Sequence, residues 1–161
     1  AASDVYKRQQ ETLWITTPYL ILDNATMTAL RLAAKRGVDV RIYTPGIPDK
    51  KMVYQLTCSY FEPLIRSGVK IYTFTPGFLH AKTWLVDGRI AVVGSINLDY
   101  RSLYLHFECA ALLYGCAALA DAGEFMMQRE KQSHLVELKE CRTSAPGLMV
   151  SALLRLLAPL C

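Results

Sequence analysis

The sequence has no CxxC pair, no dense lysine or arginine run, no apolar stretch of membrane-spanning length, no internal repeat and no low-complexity tract. Its five cysteines (Cys58, Cys109, Cys116, Cys141 and Cys161) are odd in number and scattered. That argues against a disulfide framework and a zinc site and suits a reducing, cytoplasmic face. Without a basic run there is no nucleic-acid arm, although a net charge of +4 and a pI near 8.8 suit anionic partners of either kind, phospholipid or nucleic acid. A signal-peptide core is missing too, and the first methionine is Met27. The chain therefore reads as a piece of something longer, with residues 1–11 expected as a disordered stub.

What is present is an ordinary globular composition: 161 residues, 52% hydrophobic and 20% charged, enough for one α/β domain with a sizeable core, expected over residues 12–130. LWITTPYL reads as a strand closing at a proline. Asp23 and Asn24 can cap a helix through Arg36, with Met27, Leu30 and Ala34 at helical spacing and Gly37 as its stop. VDVRIYT follows as a buried-type strand, completing a βαβ beginning. A second helix is expected from Lys51 to Ser67, interrupted at Pro63, and then the strand VKIYTFTP. LYLHFECAALLY reads as a last core strand, with a helix over 117–130 behind it. Residues 131–161 read as a polar linker and a short tail. The tail, LMVSALLRLLAPLC, is about fourteen residues long against the roughly 20 that span a bilayer. It suits either a membrane interface or a helix docked on a missing half.

The chemistry concentrates in His80–Asn97, HAKTWLVDGRIAVVGSIN. Two strand-like runs flank Asp87-Gly88, a hairpin signal. Positions two apart share a face of a strand, so His80 and Lys82 project together, as do Ser95 and Asn97 if the chain stays extended past Gly94. An imidazole can attack phosphorus and hold the phosphoryl group covalently. Lys82 can neutralise the non-bridging oxygens, Ser95 and Asn97 can donate to them, and Gly94 leaves room for backbone to approach the phosphate. No metal and no cofactor is required by this chemistry.

His-x-Lys, four residues, Asp, six residues, Gly-Ser-x-Asn resembles the signature of the phospholipase D superfamily at every fixed position. The flanking VDVRIYTPGIPDKKMVYQ, SYFEPLIRSGVKIYTFTPGFLHAK and GSINLDYRSLYLHFECA are similar to the C-terminal catalytic half of bacterial cardiolipin synthases, from about Leu13 to about Tyr114. The resemblance implies a mixed β-sheet flanked by helices, forming one catalytic lobe of a two-lobed or dimeric enzyme. It implies two facing motifs, one histidine as nucleophile and the other protonating the leaving oxygen; His80 matches one of them. Lys82 and Asn97 match phosphate-binding residues, with Ser95 beside them, and Glu108 sits where a His-orienting carboxylate is expected. Tyr100 and Arg101 fall at the site's mouth, where Arg101 can reach a phosphate or pair with Asp99 or Glu108. This chain holds only one such motif.

Plainer roles stand beside these. An aspartate in Asp-Gly is usually there for its turn, so Asp87 is a weaker catalytic candidate. Glu108 can be a solvated carboxylate, and Lys50 and Lys51 either steer a head group or simply open a helix. His106 reads as a surface or substrate-rim residue and His134 as exposed. The activity implied is transfer of a phosphatidyl group between two phosphatidylglycerol molecules, at a bacterial membrane reached through segments upstream. A second motif half is the expected partner and nucleic acid is not. The alternatives are a single-motif homodimeric phosphodiesterase or endonuclease, and a non-catalytic membrane-binding half domain.

Overall fold

The computed structural model describes residues 10–141 and 152–156. Strand β1 (Thr12–Thr16) is central because its alternating Leu13 and Ile15 are fully buried between two neighbours. It runs parallel to β2 (Asp39–Pro45) and antiparallel to β4 (Thr83–Val86). Helix α1 (Asn24–Lys35) makes the crossover from β1 to β2. The Asp23 carboxylate caps it by accepting from the Thr26 N–H at 2.6 Å, and Gly37 ends it at φ 94°, where a side chain would be strained.

Between β2 and β3 (Lys70–Phe74) the expected single helix is two, α2 (Lys51–Ser59) and α3 (Phe61–Ile65). The break falls at Tyr60 rather than at Pro63. Pro63 has no N–H to give the carbonyl four residues back, Ser59, so α2 stops there, and the proline is accommodated in the first turn of α3, where no amide is needed. The Ser59 carbonyl accepts instead from the Arg155 guanidinium, whose Nε also donates to the Ser59 hydroxyl at 3.1 Å. Arg155 lies 4.7 Å over the Tyr60 ring, in a helical segment spanning 152–156. The described part of the apolar tail is thus docked on this chain's own helices.

Strands β5 (Ile90–Gly94) and β6 (Ala110–Tyr114) extend the sheet on one side and β7 (Ser133–Leu135) on the other, giving the order β6-β5-β4-β1-β2-β3-β7. Two expectations are corrected here. Part of the stretch read as linker supplies β7, which pairs antiparallel with β3. The last strand is half as long as its apolar run suggested and lies at an edge, with Leu112 62% and Tyr114 76% exposed. Its forerunner, Arg101–Leu105, coils into a π-helical turn because Asp99 accepts from the Ser102 N–H at 2.7 Å.

Helices α1 to α3 cover one face of the sheet and α4 (Ala118–Lys131) the other. Under α4, Glu130 accepts from Arg41, Tyr43 and Tyr72 at 2.5, 3.0 and 3.1 Å, and Arg41 lies over the Trp14 ring. This network pins the helix that walls the cleft described below.

The β4–β5 hairpin turns through Asp87 (φ 51°) and Gly88 (φ 62°), with the Arg89 N–H donating to the Val86 carbonyl at 2.9 Å. The Asp87 carboxylate accepts from the Gln10, Glu11 and Thr12 main-chain N–H groups at 2.9, 2.8 and 2.8 Å. This carboxylate, a catalytic candidate in the sequence, clasps the start of β1, and five residues of extended chain, roughly 16 Å, separate it from Lys82. Partial burial pushes this carboxyl upward, but the three amides outweigh it and hold the pKa below its ordinary 3.8. Such a group stabilises the fold above its unfolded pKa, and the contribution disappears as pH falls through the lower folded value. Asp87→Asn is expected to cost roughly 1–3 kcal/mol at neutral pH. It is also expected to flatten the acid limb of stability below about pH 5, both read by urea titration at a series of pH values.

Candidate active site

The residues ahead of β4 are unpaired until Lys82, whose carbonyl accepts from the Gly94 N–H at 3.2 Å. The strand expected from residue 79 therefore begins at Thr83, and His80 and Lys82 sit on its extended lead-in. His80 is exposed, its ring 5.6 Å from that of Phe78 and without a hydrogen bond among the described residues. Lys82 folds back so that Nζ donates to the His80 carbonyl at 2.8 Å. Burial draws its ammonium pKa down, and the carboxylates of Glu108 and Asp99 oppose the drop.

Across the hairpin, β5 ends at Gly94. A Cβ there would stand 2.3 Å from the Cys109 carbonyl oxygen and 2.5 Å from the Ala110 Cα. The glycine is therefore required by the approach of β6, a different reason from the phosphate clearance expected. That approach brings Cys109 onto Ser95: the Ser95 N–H donates to the Cys109 carbonyl at 2.9 Å, and the Ser95 hydroxyl accepts from the Cys109 N–H at 3.0 Å. The Ser95 hydroxyl also donates to Glu108. Glu108, the carboxylate that the resemblance sets to orient His80, holds Ser95 here, one residue along from the Cys109 that faces Ser95.

Asn97 follows, and the chain beyond it is tied to the exit of β1. The Leu98 N–H donates to the Thr17 hydroxyl at 3.1 Å, and its carbonyl accepts from the Ile21 N–H at 2.8 Å. The Asn97 side-chain oxygen is buried and finds no hydrogen-bond partner among the described residues. Turning the amide over points its NH2 there, the donor that an anionic oxygen needs.

His80, Lys82, Gly94, Ser95 and Asn97 line one wall of a cleft of about 850 Å³. The opposite wall comes from α4: Ala118, Asp121, Ala122 and Phe125. These were missed in the sequence, although small residues four apart with a phenylalanine three further on mark a helix face that lets something approach. Arg101 does not line the cleft; its Nε donates to His106 Nε2 at 3.2 Å, not to Asp99 or Glu108. Among the rim candidates, Lys50 lies 5.9 Å over the Tyr19 ring, while the Tyr19 hydroxyl donates to Asp49 at 2.6 Å. Burial first, and Asp49 second, push the Tyr19 phenol up to about 12. His134 is exposed, as expected, and pairs with Glu140.

A mixed sheet between helices, with a His-x-Lys hairpin meeting a Ser-x-Asn segment in one cleft, defines a phospholipase D-like fold. Residues 5–129 match the family described as cardiolipin synthase, PLD-like domain, and the chain belongs to that family. It is 38% identical over 152 residues to a cardiolipin synthase of Geobacillus sp. (strain WCH70), covering 94% of this chain and 30% of that one. The chain spans about a third of the length of the curated relatives it matches. Two solved structures share the fold at 21% identity. Nuc from Salmonella typhimurium, a phospholipase D family member, superposes with a TM-score of 0.71 over 83% of this chain and 87% of its own. The phosphatidylserine synthase of Haemophilus influenzae Rd KW20 does so at 0.73, over 99% and 42%.

Proposed function

We propose that this chain is one catalytic half of a phosphatidyltransferase that makes cardiolipin from two molecules of phosphatidylglycerol. The observation that carries the reading is the single cleft in which His80, Lys82, Ser95 and Asn97 converge. In the first step an imidazole nitrogen attacks phosphorus, a P–N bond forms, the P–O bond to glycerol breaks, and a second imidazole gives the leaving oxygen its proton. In the second step the hydroxyl of another phosphatidylglycerol gives that imidazole its proton and attacks phosphorus, and the P–N bond breaks. His80 fills one of these two roles. Lys82 and the Asn97 amide carry the charge of the non-bridging oxygens, with Ser95 fixed beside them by Glu108 and Cys109.

The other imidazole comes from a second motif half, in the same longer chain or in another copy. The membrane is the expected partner surface; among the described residues no helix is long and apolar enough to cross a bilayer.

The test uses protein isolated from its own cells and vesicles of phosphatidylglycerol labelled in the headgroup glycerol. One labelled glycerol released per cardiolipin formed is expected, with a covalent phosphatidyl adduct trapped on histidine. Phosphatidic acid without cardiolipin would overturn the transferase reading. It would favour a homodimeric single-motif phosphodiesterase.

A further inference from the structure

The wall of the cleft opposite the His-x-Lys segment is a single stripe of α4. Residues 118, 121, 122 and 125 follow the three- and four-residue spacing of one helix face. The neighbouring stripe, with Leu119 and Met126 buried, packs down on the sheet and fixes which way the cleft face looks. Ala118 and Ala122 are short and Phe125 is apolar, which leaves Asp121 as the one carboxylate lining the cleft among the described residues.

This carboxylate is exposed and makes no hydrogen bond or ion pair among the described residues. The carboxylates that act on Lys82 are Glu108 and Asp99, so Asp121 does not serve as its counter-ion. A place in the first turn suits the α4 dipole, but that benefit needs no particular face of the helix. Facing an anion site has the reverse effect: Asp121 repels a phosphodiester unless the substrate brings a hydrogen-bond donor to it.

We infer that Asp121 is a specificity-determining residue that accepts hydrogen bonds from the hydroxyl groups of a polyol headgroup on the phosphodiester. The inference rests on the transferase reading of the cleft and names what the wall opposite the phosphate site recognises. Phosphorus is tetrahedral, so when Lys82 and Asn97 hold its non-bridging oxygens its ester oxygens point away from them, toward α4. There the carbon skeleton of the alcohol meets Ala118 and Ala122, and its hydroxyls meet a charged acceptor. Because Asp121 is open to water, an alcohol without hydroxyls leaves it solvated rather than stranded, and the discrimination is modest.

The test uses protein isolated from its own cells and vesicles holding equal amounts of phosphatidylglycerol and phosphatidylpropanol, each labelled in its headgroup alcohol. The two lipids carry the same charge and the same three-carbon headgroup and differ only in two hydroxyls. Competition reads the ratio of their specificity constants directly. The parent protein is expected to release glycerol roughly tenfold faster than propanol, the worth of one charge-assisted hydrogen bond. Asp121→Asn, which removes the charge at constant size, should lower the ratio to roughly threefold, and Asp121→Ala should bring it to parity. A helix-terminal role would not move this ratio. A parent that releases both alcohols alike, or a preference that both variants keep, overturns the inference and leaves the transferase reading standing. So does an equal loss on both lipids. With phosphatidylethanolamine in place of phosphatidylglycerol, an amine released faster than propanol, by an advantage that Asp121→Ala removes, would assign the carboxylate to a cation and overturn the polyol. Release of neither alcohol by the parent would remove both readings.

Discussion

Replacing His80 with alanine is expected to remove turnover by roughly 10²–10⁴-fold, the weight of one proton-transfer or nucleophilic group, while the chain keeps its fold. The second half of that expectation comes from the structure. The ring is exposed, makes no hydrogen bond among the described residues and touches mainly the Phe78 face, so little is lost when it is trimmed. Stability should change by no more than about 0.5 kcal/mol, as for an ordinary surface substitution. Glycerol release from labelled phosphatidylglycerol vesicles, measured beside a thermal melt, separates the two effects. An unchanged rate would remove the mechanism; a lost rate with a lost fold would mean that the ring carries structure.

Gly94→Ala should act in the opposite way, through the fold first. Its new Cβ would meet backbone atoms of Cys109 and Ala110 at 2.3 and 2.5 Å, and backbone cannot swing aside as a flexible side chain can. Overpacking of this kind costs roughly 1–3 kcal/mol or more, and in a chain of this size a loss of about 3 kcal/mol lowers Tm by roughly 10 °C. The strand driven away is β6, so the Ser95 hydroxyl loses Cys109 and Glu108 together. A variant that melts like the parent would show that β5 and β6 can separate freely, and the account of Glu108 would fall with it.

Much of this was legible in the sequence because it is local. Asp23 caps the helix that begins one residue later, Gly37 ends it, and Asp87-Gly88 turns a hairpin between its own flanks. The site residues lie within eighteen positions, so two strands and one turn are enough to assemble them. What could not be read depends on distant partners. The sequence shows a carboxylate at 87 but not the three amides that saturate it, from residues about 75 positions earlier. It shows a carboxylate at 108 but not the approach of β6 to β5 that lets it hold the Ser95 hydroxyl. β7 is three residues long and has too little pattern to stand out from a polar stretch. The break at Tyr60 depends on which residue goes without Pro63's missing amide, and that becomes visible only once Arg155 is seen filling the gap.

The arginine at 155 has a consequence for how the domain is made. Its contact with Ser59 closes 96 residues of chain, so during synthesis the α2 terminus emerges with one carbonyl facing water and keeps it that way while every strand of the sheet is built. Ring closure over such a length is entropically slow to begin but adds little for each further residue. The hydrogen bond that completes the α2 terminus therefore becomes possible only after every strand among the described residues has been made.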